Sequence, residues 1–139
     1  DADMRPIRAA GGRIRLVKGA YDEPAHVAYH TKADVDSAYL RMAEALLVGS
    51  DFPAIATHDE RIIEAVTHFA SRERIPPTRF EFQMLYGVRR DLQASLVAGG
   101  YGVRVYVPFG REWFPYFMRR LGERPANVGF VVKSLLRER

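Results

Sequence analysis

The chain has no cysteine, which removes disulfides, thiolate metal ligands and a thiol nucleophile and fits a reducing compartment. No apolar run approaches the ~18–20 residues that span a bilayer. The first residues, Asp1-Ala2-Asp3-Met4-Arg5, are charged and lack the apolar stretch of a secretion signal; they read as part of a longer chain, with Met4 internal. Low-complexity tracts, Ser/Gly linkers, a Gly-x-Gly-x-x-Gly or Walker loop and a Ser/His/Asp signature are also missing. No second histidine stands at a metal-ligand spacing from His58, since His26, His30 and His68 are scattered, so no metal site is expected. The net charge of +4 comes from 21 basic and 17 acidic residues spread among each other. Without a clustered basic stripe and exposed aromatics, no nucleic-acid partner is expected.

What is present is enough for a core. Of 139 residues, 47% are hydrophobic and 12% aromatic, and a chain of this length buries roughly two-thirds of its unfolded surface. One pattern recurs: a short apolar run, a polar turn, then a helical stretch, which argues for βα units and a parallel sheet. The first apolar run is residues 13–19, followed by a connecting loop over 27–32. Residues 34–48 form a helix whose apolar face carries Val35, Ala38, Tyr39, Met42 and Leu46, with Gly49 as the stop. The second run, 52–57, leads into Asp59 as the N-cap of a helix striped by Ile62, Ile63, Val66, Phe69 and Ala70. Pro76 and Pro77 end that unit.

Residues 79–85 alternate: Phe80, Phe82 and Met84 face one way, Glu81, Gln83 and Leu85 the other. A helix over 88–98 follows, closed by Gly99 and Gly100. In the fourth strand Val103, Val105 and Val107 share one face and Arg104 and Tyr106 the other. A further helix is expected over 112–121, broken by Pro125, with a last amphipathic segment over 127–136. The fold class is therefore α/β, with four βα units. A whole (β/α)₈ barrel has twice that number in about 250 residues, so the chain reads as the C-terminal half of one TIM-like barrel domain. The N-terminal half would be absent. An isolated half leaves sheet edges unpaired, so it is expected to self-associate or to complement another chain. A purely non-catalytic half-barrel of that kind is the alternative to an enzyme.

Barrel chemistry sits at the C-terminal ends of strands. Arg15 and Lys18, Thr57 and His58, Glu81 and Gln83, and Arg104 and Tyr106 are read as gathering there. Inward-facing charge is costly unless paired or bound, so the polar faces of strands three and four suggest a site. His58 is open to several roles: general base, metal ligand or cofactor contact. On the expected helix, Arg119 and Arg120 project about 100° apart; their guanidinium forks suit a carboxylate. Glu123 is placed to orient either one, and Tyr116, a turn earlier, shares their side. A solvated helix with an ordinary ion pair would show the same spacing.

Five motifs, taken together, carry a resemblance. Arg15-Leu16-Val17-Lys18-Gly19-Ala20-Tyr21, Ala56-Thr57-His58-Asp59, Phe80-Glu81-Phe82-Gln83-Met84-Leu85-Tyr86-Gly87, Val105-Tyr106-Val107-Pro108-Phe109-Gly110 and the segment from Tyr116 to Asn127 resemble, in order and spacing, the successive C-terminal motifs of proline dehydrogenases. The resemblance runs from about residue 12 to 133 and is nearer the monofunctional bacterial type. It implies a (β/α)₈ flavoenzyme that oxidises L-proline to Δ1-pyrroline-5-carboxylate, with FAD taking the hydride and a quinone the electrons. That implies a cytoplasmic protein in peripheral contact with the inner membrane. By this resemblance Arg119 and Arg120 clamp the proline carboxylate and Glu123 holds the pair. Tyr106, Tyr116, Leu85 and Ala20 line the ring pocket, and Arg15 sits against the flavin near its reacting nitrogen. Lys18, Gly19 and Ala20 cradle the flavin, and Thr57 and His58 contact its distal part. Phe114 stands where tyrosine is more usual. The family's earlier strands supply a substrate-side lysine, an acidic partner and further flavin contacts, so these motifs alone are expected to bind FAD incompletely and to be inactive.

Overall fold

The period-two stretch expected over 79–85 forms a strand from Glu81 to Leu85, and the burial of its two faces is what organises the molecule. The structure is a computed structural model and describes residues 3–19, 23–24, 26–113 and 115. Its elements in chain order are α1 (Met4–Ala9), β1 (Arg15–Val17), α2 (Lys32–Gly49), β2 (Ala54–Ala56), α3 (Glu60–Arg72), a 3₁₀ turn (Pro77–Arg79), β3 (Glu81–Leu85), α4 (Arg90–Ala98) and β4 (Gly102–Tyr106). The four strands pair in parallel in the order β1-β2-β3-β4, the α/β arrangement of half a (β/α)₈ barrel. The expected helix over 112–121 and the segment over 127–136 fall almost wholly outside the described residues.

Register assigns the two faces. Arg15, Ala54, Glu81 and Gly102 form one row across the sheet, and Val17, Ala56, Gln83 and Arg104 the next; Leu85 and Tyr106 pair beyond them. Between these rows lie Leu16, Ile55, Phe82 and Val103, then Met84 beside Val105, all pointing the opposite way. That second face meets the helices. Leu16, Ile55, Phe82 and Met84 are buried in one cluster with Tyr39 and Leu46 of α2, Ile62 and Val66 of α3, and Leu92 and Leu96 of α4. The apolar stripe expected on α3 is buried residue for residue, because a 3.6-residue period lays all five side chains on the sheet.

Helix boundaries follow their caps. The Thr31 side chain accepts a hydrogen bond from the Asp34 amide, so α2 begins at Lys32, ahead of the expected start. Asp59 accepts from the Arg61 amide and caps α3 as expected. α4 begins later than position 88, because Gly87 and Arg89 both take left-handed backbone conformations. Gly49 is not a left-handed stop: it is the last residue of α2. A Cβ there would lie 1.4 Å from the Arg8 guanidinium, whose Nε donates to the Gly49 carbonyl at 3.0 Å. That contact docks α1, a short helix unforeseen in the sequence, against the end of α2.

Tyr39 cross-braces the start of the sheet. Its ring is buried, and its hydroxyl lies 3.1 Å from the carbonyl oxygens of both Leu16 and Ala56. Burial holds the phenol well above its usual pKa, so it remains a donor. Tyr39→Phe removes this donor from both carbonyls, so a loss of about 0.5–1.5 kcal/mol is expected in urea denaturation. A loss below a few tenths of a kcal/mol would show that the hydroxyl braces nothing.

Candidate functional site

The face opposite the helices carries the chemistry. β2 contributes only Ala54 and Ala56 to it, whereas its neighbours contribute long polar side chains. Arg15 Nε donates to Gln83 Oε1 at 2.6 Å, and Gln83 Nε2 donates to Glu81 Oε1 at 2.7 Å. Arg104 closes the array from β4, with Nε at 2.7 Å from Glu81 Oε1 and a terminal nitrogen at 2.9 Å from Oε2. Glu81 is the buried member, at 8% exposure. The Arg104 guanidinium holds its carboxyl below the usual carboxylate range against the opposing effect of burial. One polar floor thus chains two cations through an amide and a carboxylate, in the order Arg15, Gln83, Glu81, Arg104.

The placement departs from the sequence reading in one respect. Arg15 and Glu81 are the first residues of β1 and β3, so they lie in the lowest row and not at the C-terminal ends. Gln83 and Arg104 stand one row higher. Leu85 and Tyr106 do reach the C-terminal ends, side by side as register partners, with Tyr106 half exposed. They form an apolar and aromatic wall above the polar floor.

Lys18 and Gly19 follow β1. Lys18 Nζ pairs with Asp36 at 2.5 Å and with Asp59 at 2.9 Å; Lys32 joins the same two carboxylates. This four-charge cluster ties the end of β1 to α2 and to the N-cap of α3, and it keeps the acids of Asp36 and Asp59 below their usual pKa. Gly19 has φ +79 and open space where a Cβ would be. Beside it a cavity of about 520 Å³ runs along α2, with Val35, Ala38, Tyr39 and Met42 of that helix forming one wall and Lys18 and Gly19 at its rim.

Thr57 and His58 follow β2. Thr57 is buried, and its hydroxyl accepts from the Asp59 amide at 3.1 Å. His58 Nε2 accepts from the Leu85 amide at 2.8 Å, so its side chain continues the β2–β3 ladder past the last residue of β2. Burial, helped by the charge of Arg89, pushes its pKa down to about 4. A neutral ring accepting through Nε2 carries its proton on Nδ1. Sequence reasoning missed this splint, since nothing in Thr57-His58-Asp59 reveals the opposed amide. Of the other expected site residues, Ala20, Tyr116, Arg119, Arg120 and Glu123 lie outside the described residues.

The family model for proline dehydrogenase matches residues 8–133. The chain belongs to the proline dehydrogenase family. It is 53% identical over 135 residues to a proline dehydrogenase of Deinococcus radiodurans, a match covering 97% of this chain and 42% of the relative. Proline dehydrogenase 2 of Bacillus subtilis is 46% identical over 138 residues, covering 99% of this chain and 46% of the relative. Among solved structures, proline utilization A from Bdellovibrio bacteriovorus inactivated by N-propargylglycine superposes with a TM-score of 0.77 at 31% identity, over 86% of this chain and 15% of that one. A bifunctional proline utilization A protein superposes with a TM-score of 0.79 at 29% identity, over 96% of this chain and 16% of that one. The chain thus spans less than half the length of the curated proline dehydrogenases it matches. Among the described residues no helix is long and apolar enough to cross a membrane.

Proposed function

We propose that this chain supplies the C-terminal half of a flavin-dependent proline dehydrogenase that oxidises L-proline to Δ1-pyrroline-5-carboxylate and hands the electrons to a quinone. The observation that carries the reading is Arg15. Its guanidinium lies on the sheet face away from the helices, tethered through Nε, on the strand that runs directly into the Lys18–Gly19 turn. Support comes also from the family membership over residues 8–133.

The described residues fit an FAD. The Gly19 turn, with left-handed backbone and no obstruction at Cβ, would let a cofactor lie close to the main chain. Lys18 stands at the same turn, and Thr57 and His58 at the neighbouring one. When bound, FAD supplies the two-electron acceptor: a hydride leaves the proline ring carbon, the amine gives up a proton and C–N becomes C=N. The chain's own task is placement. Arg15 offers positive charge where charge accumulates on the acceptor. Leu85 and Tyr106 wall a small apolar ring, with Ala20 and Tyr116 completing the pocket. Arg119 and Arg120, oriented by Glu123, hold the carboxylate through bidentate bonds. Delivery of electrons to a quinone requires a cytoplasmic enzyme to touch the inner membrane from outside the bilayer.

The test is the visible spectrum of the purified full-length protein. Flavin bands near ~450 nm are expected to bleach on addition of L-proline, and a protein that stays yellow, or is colourless, contradicts the reading. In the same assay Arg119→Ala removes one charge-assisted contact of about 1.5–3 kcal/mol. The proline concentration for half-bleaching is therefore expected to rise roughly ten- to a hundred-fold. An unchanged requirement would remove Arg119 from the carboxylate site.

A further inference from the structure

We propose that Gln83, fixed by Glu81, is a positioning residue for the Arg15 guanidinium. This rests on the reading that Arg15 faces the flavin, and it assigns a task to two residues of β3 for which the resemblance implies no contact with flavin or proline.

β1 and β3 are separated by β2, a gap of roughly 10 Å. A side chain can cross it only if the intervening strand offers little bulk, and β2 places Ala54 and Ala56 in the two rows concerned. Arg15 therefore reaches Gln83 on β3, at 2.6 Å. A carboxamide by itself has no preferred end, since its NH₂ and its oxygen are nearly the same size. Here the choice is made by Glu81. An ionised carboxylate only accepts, so it takes the NH₂ of Gln83 and leaves the amide oxygen facing Arg15. Glu81 in turn is pinned by the bidentate Arg104 bond. Each bond direction in the array follows from the charge at its end, and none can reverse without leaving two donors or two acceptors opposed. Arg15 is thereby held by Nε, and among the described residues its two terminal amino groups make no hydrogen bond. They are the groups left to meet a ligand.

The experiment is the midpoint potential of the flavin in the full-length holoenzyme, for wild type, Arg15→Met, Gln83→Met, Gln83→Leu and the Arg15→Met/Gln83→Met double variant. Methionine keeps the length of Gln83 and lacks its acceptor oxygen, and Gln83 is not fully buried, so folding should survive. Arg15→Met is expected to lower the potential, because a cation beside the acceptor is gone. Gln83→Met is expected to lower it less, with flavin reduction slowed roughly ten-fold and proline KM little changed. Gln83→Leu, which also lacks the acceptor oxygen, should move it in the same direction, and it stands in if Gln83→Met is unstable. The double variant should match Arg15→Met alone, since Gln83 has nothing to act on once Arg15 is lost. If Arg15→Met lowers the potential while Gln83→Met and Gln83→Leu leave it at the wild-type value, the positioning role is overturned and the flavin-facing reading stands. Additive shifts in the double variant also overturn it, since Gln83 would then act independently. If Arg15→Met itself leaves the potential unmoved, the flavin-facing reading fails and the inference falls with it.

Discussion

Phe82→Ala is expected to destabilise the folded protein by about 3–5 kcal/mol, the range for deleting a buried phenylalanine side chain. Phe82 is the centre of the helix-facing sheet surface. It is fully buried, in register with Ile55 and Val103. Its ring packs edge-on against Phe80 at 5.5 Å and Tyr101 at 5.7 Å. Its register neighbours Ile55 and Val103 are held in the parallel sheet and cannot close over the void without breaking its ladder, so relaxation should recover little. Val105→Ala is the control: it lies on the same face but is over a third exposed, and it should cost well under half as much. The midpoint of urea denaturation in the full-length protein separates them. A Phe82→Ala loss below about 1 kcal/mol would mean that the helix-facing layer is not the principal core. The effect should also reach the other side of β3, because Glu81, Gln83 and Leu85 share its backbone; looser flavin retention is expected alongside the lost stability.

The alternation that places Phe82 was readable from sequence because a strand has a period of two and tolerates no slip. Phe80, Phe82 and Met84 could only share a face, and Glu81 and Gln83 had to share the opposite one. The stripe on α3 was readable for the same kind of reason. What those side chains do was not readable. Arg15 and Gln83 are separated by 68 positions and Arg104 and Glu81 by 23; no local pattern pairs them, and the register that does is a property of three strands at once. Ala54 and Ala56 looked like an ordinary apolar run, whereas in place they are the gap that lets Arg15 reach β3. The salt bridge of Lys18 with Asp59 and the His58–Leu85 bond are of the same type, contacts between ends of different βα units. α1 was unreadable for another reason. Six residues that include Pro6 have little helical stability of their own, and the helix is held by the Arg8–Gly49 bond and the return of the Gly12 amide to the Ile7 carbonyl at 2.9 Å.

Arg15→Met is expected to lower kcat roughly 10²–10³-fold, the usual effect of deleting one preorganised donor from developing charge, while proline KM changes little. The split matters more than the size. Arg15 is exposed in the chain described and contributes a single hydrogen bond, so its removal should leave the urea midpoint nearly where it was, and the lost turnover cannot be ascribed to unfolding. An arginine that held substrate would shift KM, as Arg119 is expected to; one that acts only as charge builds on the acceptor shifts kcat. Arg15→Lys refines the argument. A lysine keeps the charge and loses the planar fork, and with it the fixed Nε contact to Gln83, so it should recover only part of the rate. Full recovery by lysine would mean that charge alone matters and the Gln83 tether does not. A rise in proline KM with kcat preserved would move Arg15 from the flavin to the substrate, and the polar floor formed with Gln83, Glu81 and Arg104 would then belong to proline recognition.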